Sequence, residues 1–214
     1  MAFPKIKICG ISSPEAIDAA VAARADYCGF VFFPRSPRNI DIGTAAKLAA
    51  RAKSKIRRVG VFVDADDAAI ADAVSAAKLD ALQLHGKEPP ERSAQLKARF
   101  GLPVWKALAV RSRDDVARAA AYRDAADLIL FDAKTPEGSA IPGGMGLSFD
   151  WSLVANWKGP LPWGLAGGLT TANVAEAVRQ TGAPLVDISS GVESAPGVKN
   201  VDKIAAFCKA ARSL

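Results

Sequence analysis

Short apolar runs rich in β-branched residues alternate along this chain with alanine-rich stretches whose apolar positions recur every three or four residues. The first pattern belongs to buried strands and the second to helices that lay one face on a core. The runs predict strands over Lys5–Cys9, Tyr27–Phe33, Arg58–Val63, Ala81–His85, Val104–Val110, Leu128–Asp132, Trp163–Ala166 and Leu185–Ile188. Between them the pattern predicts helices over Pro14–Ala23, Thr44–Ala52, Asp67–Ala77, Pro90–Phe100, Asp114–Tyr122, a short one near Phe149–Asn156, then Ala172–Thr181 and Val201–Ala211. Ser13 ahead of Pro14 and Glu15, Asp66 ahead of Asp67, and Thr171 ahead of a pattern that closes at Gly182 supply start and stop signals.

Eight strand-then-helix units predict an α/β fold, a single compact (β/α)8 TIM barrel over residues 1–214, in preference to an open doubly wound sheet. Neither the Gly-x-Gly-x-x-Gly turn of dinucleotide sites nor the Gly-x-x-x-x-Gly-Lys-Ser/Thr loop occurs. In such a barrel chemistry gathers at the C-terminal ends of the strands, where Cys9, His85, Asp132, Gly167 and Ser189 fall. One connection follows neither period: Ala133–Ser148 carries Gly138, Gly143, Gly144, Gly146, Pro136 and Pro142, and is expected to form a mobile lid over the site.

Composition narrows the class. Half of the 214 residues are hydrophobic and 23% are charged, as in one soluble domain with a substantial core. No signal-like segment opens the chain and no apolar stretch is long enough to span a bilayer, so a cytoplasmic protein with no membrane partner is expected. Cys9, Cys28 and Cys208 form neither an even set nor a Cys-x-x-Cys pair, and His85 is the one histidine, which argues against disulfides and against a metal site. The net charge of +6 could serve nucleic acid, an acidic surface or a small anion. Its densest stretch, Arg51, Lys53, Lys55, Arg57 and Arg58, sits at a helix end with no aromatic interleaving and reads as a solvated face. A small anionic ligand, and no nucleic acid, is the expected use.

Candidate chemistry follows from position. Cys9 ends the first strand on the face of Lys5 and Lys7, whose charges would favour its thiolate. Cys28 and Cys208 read as structural. Asp132 ends the strand Leu128–Phe131, where desolvation beneath a closed lid would help a carboxylic acid keep its proton; an ion pair with Lys134 or Lys7 is the plainer alternative. Asp64, ending another strand, competes with it, and the isolated features do not choose. Gly167-Gly168 and Ser189-Ser190-Gly191 would present bare backbone after the seventh and eighth strands, the usual phosphate cradle of such barrels. Arg35 and Arg38 bring guanidinium groups that could grip a carboxylate with their planar forks, and His85 is either a substrate contact or an organiser of the rim.

With these residues placed, the chain resembles the phosphoribosylanthranilate isomerases of tryptophan biosynthesis over essentially its whole length. The motifs that carry the resemblance are Lys7-Ile8-Cys9-Gly10-Ile11, Gly29-Phe30-Val31-Phe32 with Ser36-Pro37-Arg38, Val59-Gly60-Val61-Phe62, Gln83-Leu84-His85-Gly86, Phe131-Asp132 with Gly143-Gly144 and Phe149-Asp150-Trp151, Leu165-Ala166-Gly167-Gly168-Leu169, and Val186-Asp187-Ile188-Ser189-Ser190-Gly191-Val192-Glu193. The resemblance implies a cofactor-free Amadori rearrangement, with Asp132 as general acid and Cys9 as general base, and so favours Asp132 over Asp64. It places Arg38 at the anthranilate end, His85 and Asp187 as further contacts, and Gly167, Gly168, Ser189, Ser190 and Gly191 around the phosphate, in a monomer or homodimer. Met145 and Leu147 depart from the small or polar residues of the family pattern and leave the lid contacts open. The competing readings are another phosphosugar barrel, such as an indoleglycerol phosphate synthase, and a noncatalytic phosphometabolite-binding protein.

Overall fold

The apolar runs form strands that pair in chain order. In the computed structural model, which describes residues 3–135 and 143–213, they are β1 (Lys5–Cys9), β2 (Tyr27–Phe32), β3 (Arg57–Phe62), β4 (Ala81–Leu84), β5 (Val104–Val110), β6 (Leu128–Ala133), β7 (Trp163–Leu165) and β8 (Leu185–Ile188). Each pairs in parallel with the next, and β1 closes the barrel on β8 with Lys7 opposite Asp187. The expected (β/α)8 barrel is therefore present. Alternation then sorts the side chains. Ile6, Ile8, Phe30, Phe62 and Phe131 pack outward against the helices, while Tyr27, Val59, Ala81, Trp105 and Leu185 fill the floor of the interior. Fully burying one such side chain is worth about 1.5–3 kcal/mol, so the outer layer fixes the barrel on which the rim residues stand.

The helices are α1 (Pro14–Ala22), α2 (Ile42–Ala52), α3 (Asp67–Ala77), α4 (Pro90–Phe100), α5 (Arg113–Ala117), α6 (Val174–Thr181) and α7 (Val201–Ala210). Ser13 and Asp66 cap α1 and α3 as expected, accepting from the amides of Ala16 and Ala69. Other starts differ. The side chain of Asp41 accepts from Thr44 N–H at 2.8 Å and begins α2 two residues before Thr44. Thr171 is no cap: Asn173 precedes α6, and its side chain accepts from Thr170 N–H (2.7 Å) and donates to the Gly168 carbonyl (2.9 Å), tying the loop after β7 instead. The predicted fifth helix tightens into a 3-10 segment over Arg118–Tyr122, and the short one near Phe149–Asn156 is a 3-10 turn, Trp151–Leu153. An unpredicted hairpin, β9 (Glu193–Ala195) with β10 (Val198–Lys199), follows β8; its signal was Pro196-Gly197.

The basic stretch is largely spent on local pairs: Arg51 binds Asp18, Arg58 binds Asp80, and Arg57 lies over the Tyr27 ring. No helix among the described residues is long and apolar enough to cross a membrane. The centre of the expected lid, residues 136–142, lies outside the described residues.

Candidate active site

Nine of the ten predicted site residues border one cavity at the C-terminal mouth of the barrel: Cys9, Arg38, His85, Asp132, Gly167, Gly168, Asp187, Ser189 and Ser190. Gly191 lies behind Ser190, against Leu169 and Ile188, outside the lining. Asp64 is not among the lining residues either. Its chain turns there with φ +49°, its carboxylate accepts from Lys87 N–H and its own amide donates to Glu88, so it holds the loop after β3. Geometry thus separates the two aspartates that the isolated sequence features left level.

Cys9 stands on the inner face of β1 at the barrel mouth, packed with Val31 and Val61. Below it Lys7 is wholly buried, its Nζ donating to both oxygens of Asp187 at 3.0 and 2.9 Å. Both Cys9 Sγ and Lys7 Nζ lie over Gly29, where an added Cβ would come within 2.9 and 3.2 Å of them; the glycine leaves the space they fill. Burial pushes the thiol above its ordinary range, and Lys7 pulls it only part of the way back. The expected net preference for thiolate is therefore corrected, because desolvation outweighs the lysine. For Lys7 burial works downward, but the charges of Asp187 and Cys9 raise it overall, while burial lifts Asp187 against the pull of Lys7. These two shifts oppose each other, and the paired contacts at both carboxylate oxygens favour the ionised pair. Of the other lysines, Lys106 shares the outer face of Val104 and Leu108 and is bound to Glu88 (2.7 Å) and the Gly86 carbonyl (2.8 Å).

Asp132 is buried at the end of β6. One oxygen, Oδ1, accepts from Ala133 N–H at 2.8 Å, and Oδ2 is 3.2 Å from His85 Nε2. Neither plainer ion pair is the one made: Lys7 takes Asp187, and Lys134 lies 4.0 Å from Asp115. His85 thus organises the acid candidate rather than standing alone on the rim.

Arg38 is buried and reaches across the mouth, but its fork is already engaged. Nε and Nη2 grip Glu193 at 2.7 and 2.8 Å, and Nη2 also donates to the Gly144 carbonyl, leaving Nη1 as the nitrogen without a partner among the described residues. The two-pronged grip expected for a substrate carboxylate is thus made to the protein, whereas Arg35 is exposed on the surface. Glu193 also accepts from Lys199 Nζ at 2.7 Å, and Lys199 donates to Ser189 O at 3.0 Å. Arg38 and Lys199 hold Glu193 below the usual carboxylate range despite its burial. Sequence reasoning missed Glu193, Lys199 and Gln83 as parts of the site.

The loops after β7 and β8 supply main-chain donors. Gly167 and Gly168 have φ of +82° and +63°, and their amides make no hydrogen bond among the described residues. Ser190 opens a 3-10 turn, whose first amides lack partners within the turn. The Ser189 hydroxyl donates to the Cys9 carbonyl at 3.2 Å, bracing the end of β1. Across the mouth, Met145, 48% exposed, and Leu147 line the cavity, so the two departures face it directly.

The family model for N-(5′-phosphoribosyl)anthranilate (PRA) isomerase matches residues 6–210 of this chain. The chain belongs to that family. It is 53% identical over 208 residues to the N-(5′-phosphoribosyl)anthranilate isomerase of Paramagnetospirillum magneticum, with 97% of each chain covered. Its fold matches the crystal structure of the Thermotoga maritima phosphoribosyl anthranilate isomerase with a TM-score of 0.88 at 39% identity, covering 99% of this chain and 100% of that one. A second family structure, solved in complex with reduced 1-(o-carboxyphenylamino)-1-deoxyribulose 5-phosphate, matches with a TM-score of 0.85 at 36% identity over 99% of this chain and 100% of that one. In the family's frame the cavity of this chain holds a thiol, a carboxyl and two donor loops around one mouth.

Proposed function

We propose that this chain isomerises N-(5′-phosphoribosyl)anthranilate to 1-(2-carboxyphenylamino)-1-deoxyribulose 5-phosphate in tryptophan biosynthesis. The observation that carries the reading is that Cys9 and Asp132, on strands separated by β8 and β7, line the same cavity as the paired loops after those two strands. The amides of Gly167, Gly168 and Ser190 bind the phosphate, which anchors the sugar between the two groups.

The carboxyl of Asp132 gives its proton to the furanose ring oxygen while the anthranilate nitrogen lone pair forms the C=N bond and the C1–O bond breaks. Cys9, as thiolate, then takes the proton from C2 and leaves a neutral enolamine. Proton transfer from the C2 hydroxyl to C1, through solvent, completes the ketone, and the enzyme recovers by exchanging one proton at each group. Arg38, oriented by Glu193, offers Nη1 to the anthranilate carboxylate. Buried free thiols at Cys9, Cys28 and Cys208 support a cytoplasmic setting. Turnover of N-(5′-phosphoribosyl)anthranilate by the purified chain tests the reading. Absence of conversion by folded protein would overturn it.

A further inference from the structure

Asp132 is held by a side chain that is itself held. Gln83, on the inner face of β4, is wholly buried and borders the cavity, with its Nε2 3.4 Å from His85 Nδ1. His85 Nε2 faces Asp132 Oδ2 at 3.2 Å on the other side of the ring. Gly143 packs against this contact: a Cβ built there would lie 2.8 Å from Asp132 Oδ2 and 3.0 Å from His85 Nε2, so the loop backbone closes over the pair. One feature is costly. Gln83 Oε1 is buried with no hydrogen-bond partner among the described residues.

A carboxamide has two ends of nearly the same size, but turning it over would bring Oε1 to His85 Nδ1 only by putting Nε2 in the position that lacks a partner among the described residues. It would also require hydrogen on Nδ1, and a neutral imidazole would then have none on Nε2 for Asp132. The present orientation leaves one neutral acceptor unpaired but keeps hydrogen on Nε2, 3.2 Å from Asp132 Oδ2, where it can bond to the charge left once the acid has given up its proton; a charge-assisted bond is about twice as strong as a neutral one.

We propose that Gln83 is a positioning residue: by donating to Nδ1 it holds His85 with hydrogen on Nε2, the nitrogen that faces Asp132 Oδ2 at 3.2 Å. Together with Ala133 N–H, which bonds to Oδ1, this places a second N–H beside Asp132, at Oδ2. Each carboxyl oxygen retains a second lone pair, so the acidic proton still has a place. When that proton passes to the sugar ring oxygen, both N–H groups already lie beside the charge left behind, and little reorganisation is needed as the ring opens. The charged groups facing His85 across the cavity are Asp132 from β6 and Asp187 from β8, the latter paired with Lys7; Cys9 stands at the end of β1, and Arg38 is engaged with Glu193. This role rests on Asp132 being the general acid.

Because the chain has one histidine, nitrogen-15 spectra of the histidine-labelled protein report His85 alone. In the unliganded protein with the ring neutral, hydrogen is expected on Nε2 and not on Nδ1; the opposite tautomer would overturn the proposal whatever the fate of the acid assignment. Gln83→Glu presents only acceptors and should move the hydrogen to Nδ1, lowering kcat about tenfold or more with KM within about twofold. Gln83→Met releases the ring and should show both nitrogens sharing the hydrogen, with a smaller loss in kcat. A moved tautomer with unchanged kcat would overturn the catalytic link. Full activity of Asp132→Asn would instead remove the acid reading, which the tautomer in the parent protein does not depend on.

Discussion

Cys9 and Asp132 meet different surroundings at the same rim. The thiol sits in a desolvated niche that favours its neutral form, so only a minority is thiolate at neutral pH, and that fraction rises about tenfold for each pH unit below the pKa. The base-limited kcat/KM should therefore climb with pH through neutrality and level off only above the ordinary thiol range; a profile flat from pH 6 to 9 would show that thiolate formation does not limit the reaction. Cys9→Ala and Asp132→Asn should each lower turnover by about 10² to 10⁴-fold, the usual worth of a placed proton-transfer group, while affinity for an inert phosphate analogue changes little. Asp64→Asn is the control. Since that side chain binds Lys87 N–H and borders no part of the cavity, near-parental turnover is expected; abolished turnover there beside an active Asp132→Asn would reverse the assignment.

At the scale of elements, the hairpin β9–β10 is what the apolar pattern did not disclose, and it performs two tasks at once. It presents Glu193 to Arg38 and Lys199 to the carbonyl of Ser189, so the arginine and the loop after β8 are braced by the same two side chains. Glu193→Gln keeps the shape but gives up the charged grip, and should raise KM for the whole substrate several-fold more than it lowers kcat. A fall in kcat alone would mean that Glu193 acts on the chemistry. The glycine loops divide similarly. A Cβ at Gly167 would lie 2.9 Å from Asp132 Oδ1, whereas one at Gly168 would meet Ser148 and the Leu147 carbonyl, so Gly167→Ala should reduce kcat and Gly168→Val should act on KM by displacing the loop that carries Leu147. Equal effects on both constants in both variants would contradict that division. Strands and most helices were readable because period and capping are local properties. The early start of α2 at Asp41 and the tie made by Asn173 depended on which of several polar side chains reached an amide first, and Glu193, two residues beyond the glycine turn, stood at the end of a family motif with no partner marked until the chain folded it against Arg38.

Taken as a whole, the molecule is an apolar cylinder with a charged pair sealed inside it, and the same pair bears on stability and on chemistry. Lys7 and Asp187 face each other across the β1–β8 seam that closes the barrel. Removing one partner strands the other in a desolvated interior, which costs about 3–5 kcal/mol, whereas replacing both with apolar groups of similar volume is often neutral or stabilising. Lys7→Met and Asp187→Asn should therefore each lower the unfolding free energy strongly, while Lys7→Met with Asp187→Leu should recover most of the loss. Losses that merely add in the double variant would show that the pair is uncoupled. The pH dependence has a definite sign: Lys7 is raised above the ordinary lysine value of 10.5, so its contribution is complete below that pH and fades as pH climbs through the higher folded value. Without Asp187 only burial and the thiol act on Lys7, the upward pull is largely lost, and alkaline unfolding should begin at lower pH in Asp187→Asn than in the parent. The recovered double variant supplies the functional half of the test. Of the charges acting on the Cys9 thiol, Lys7 has the largest effect and lowers it, while Asp187 raises it less, so with both gone the thiol should still rise further and kcat/KM at neutral pH should fall below that of the parent although the fold is restored. Parental activity in that stable double variant would show that the buried pair serves the barrel and not the base.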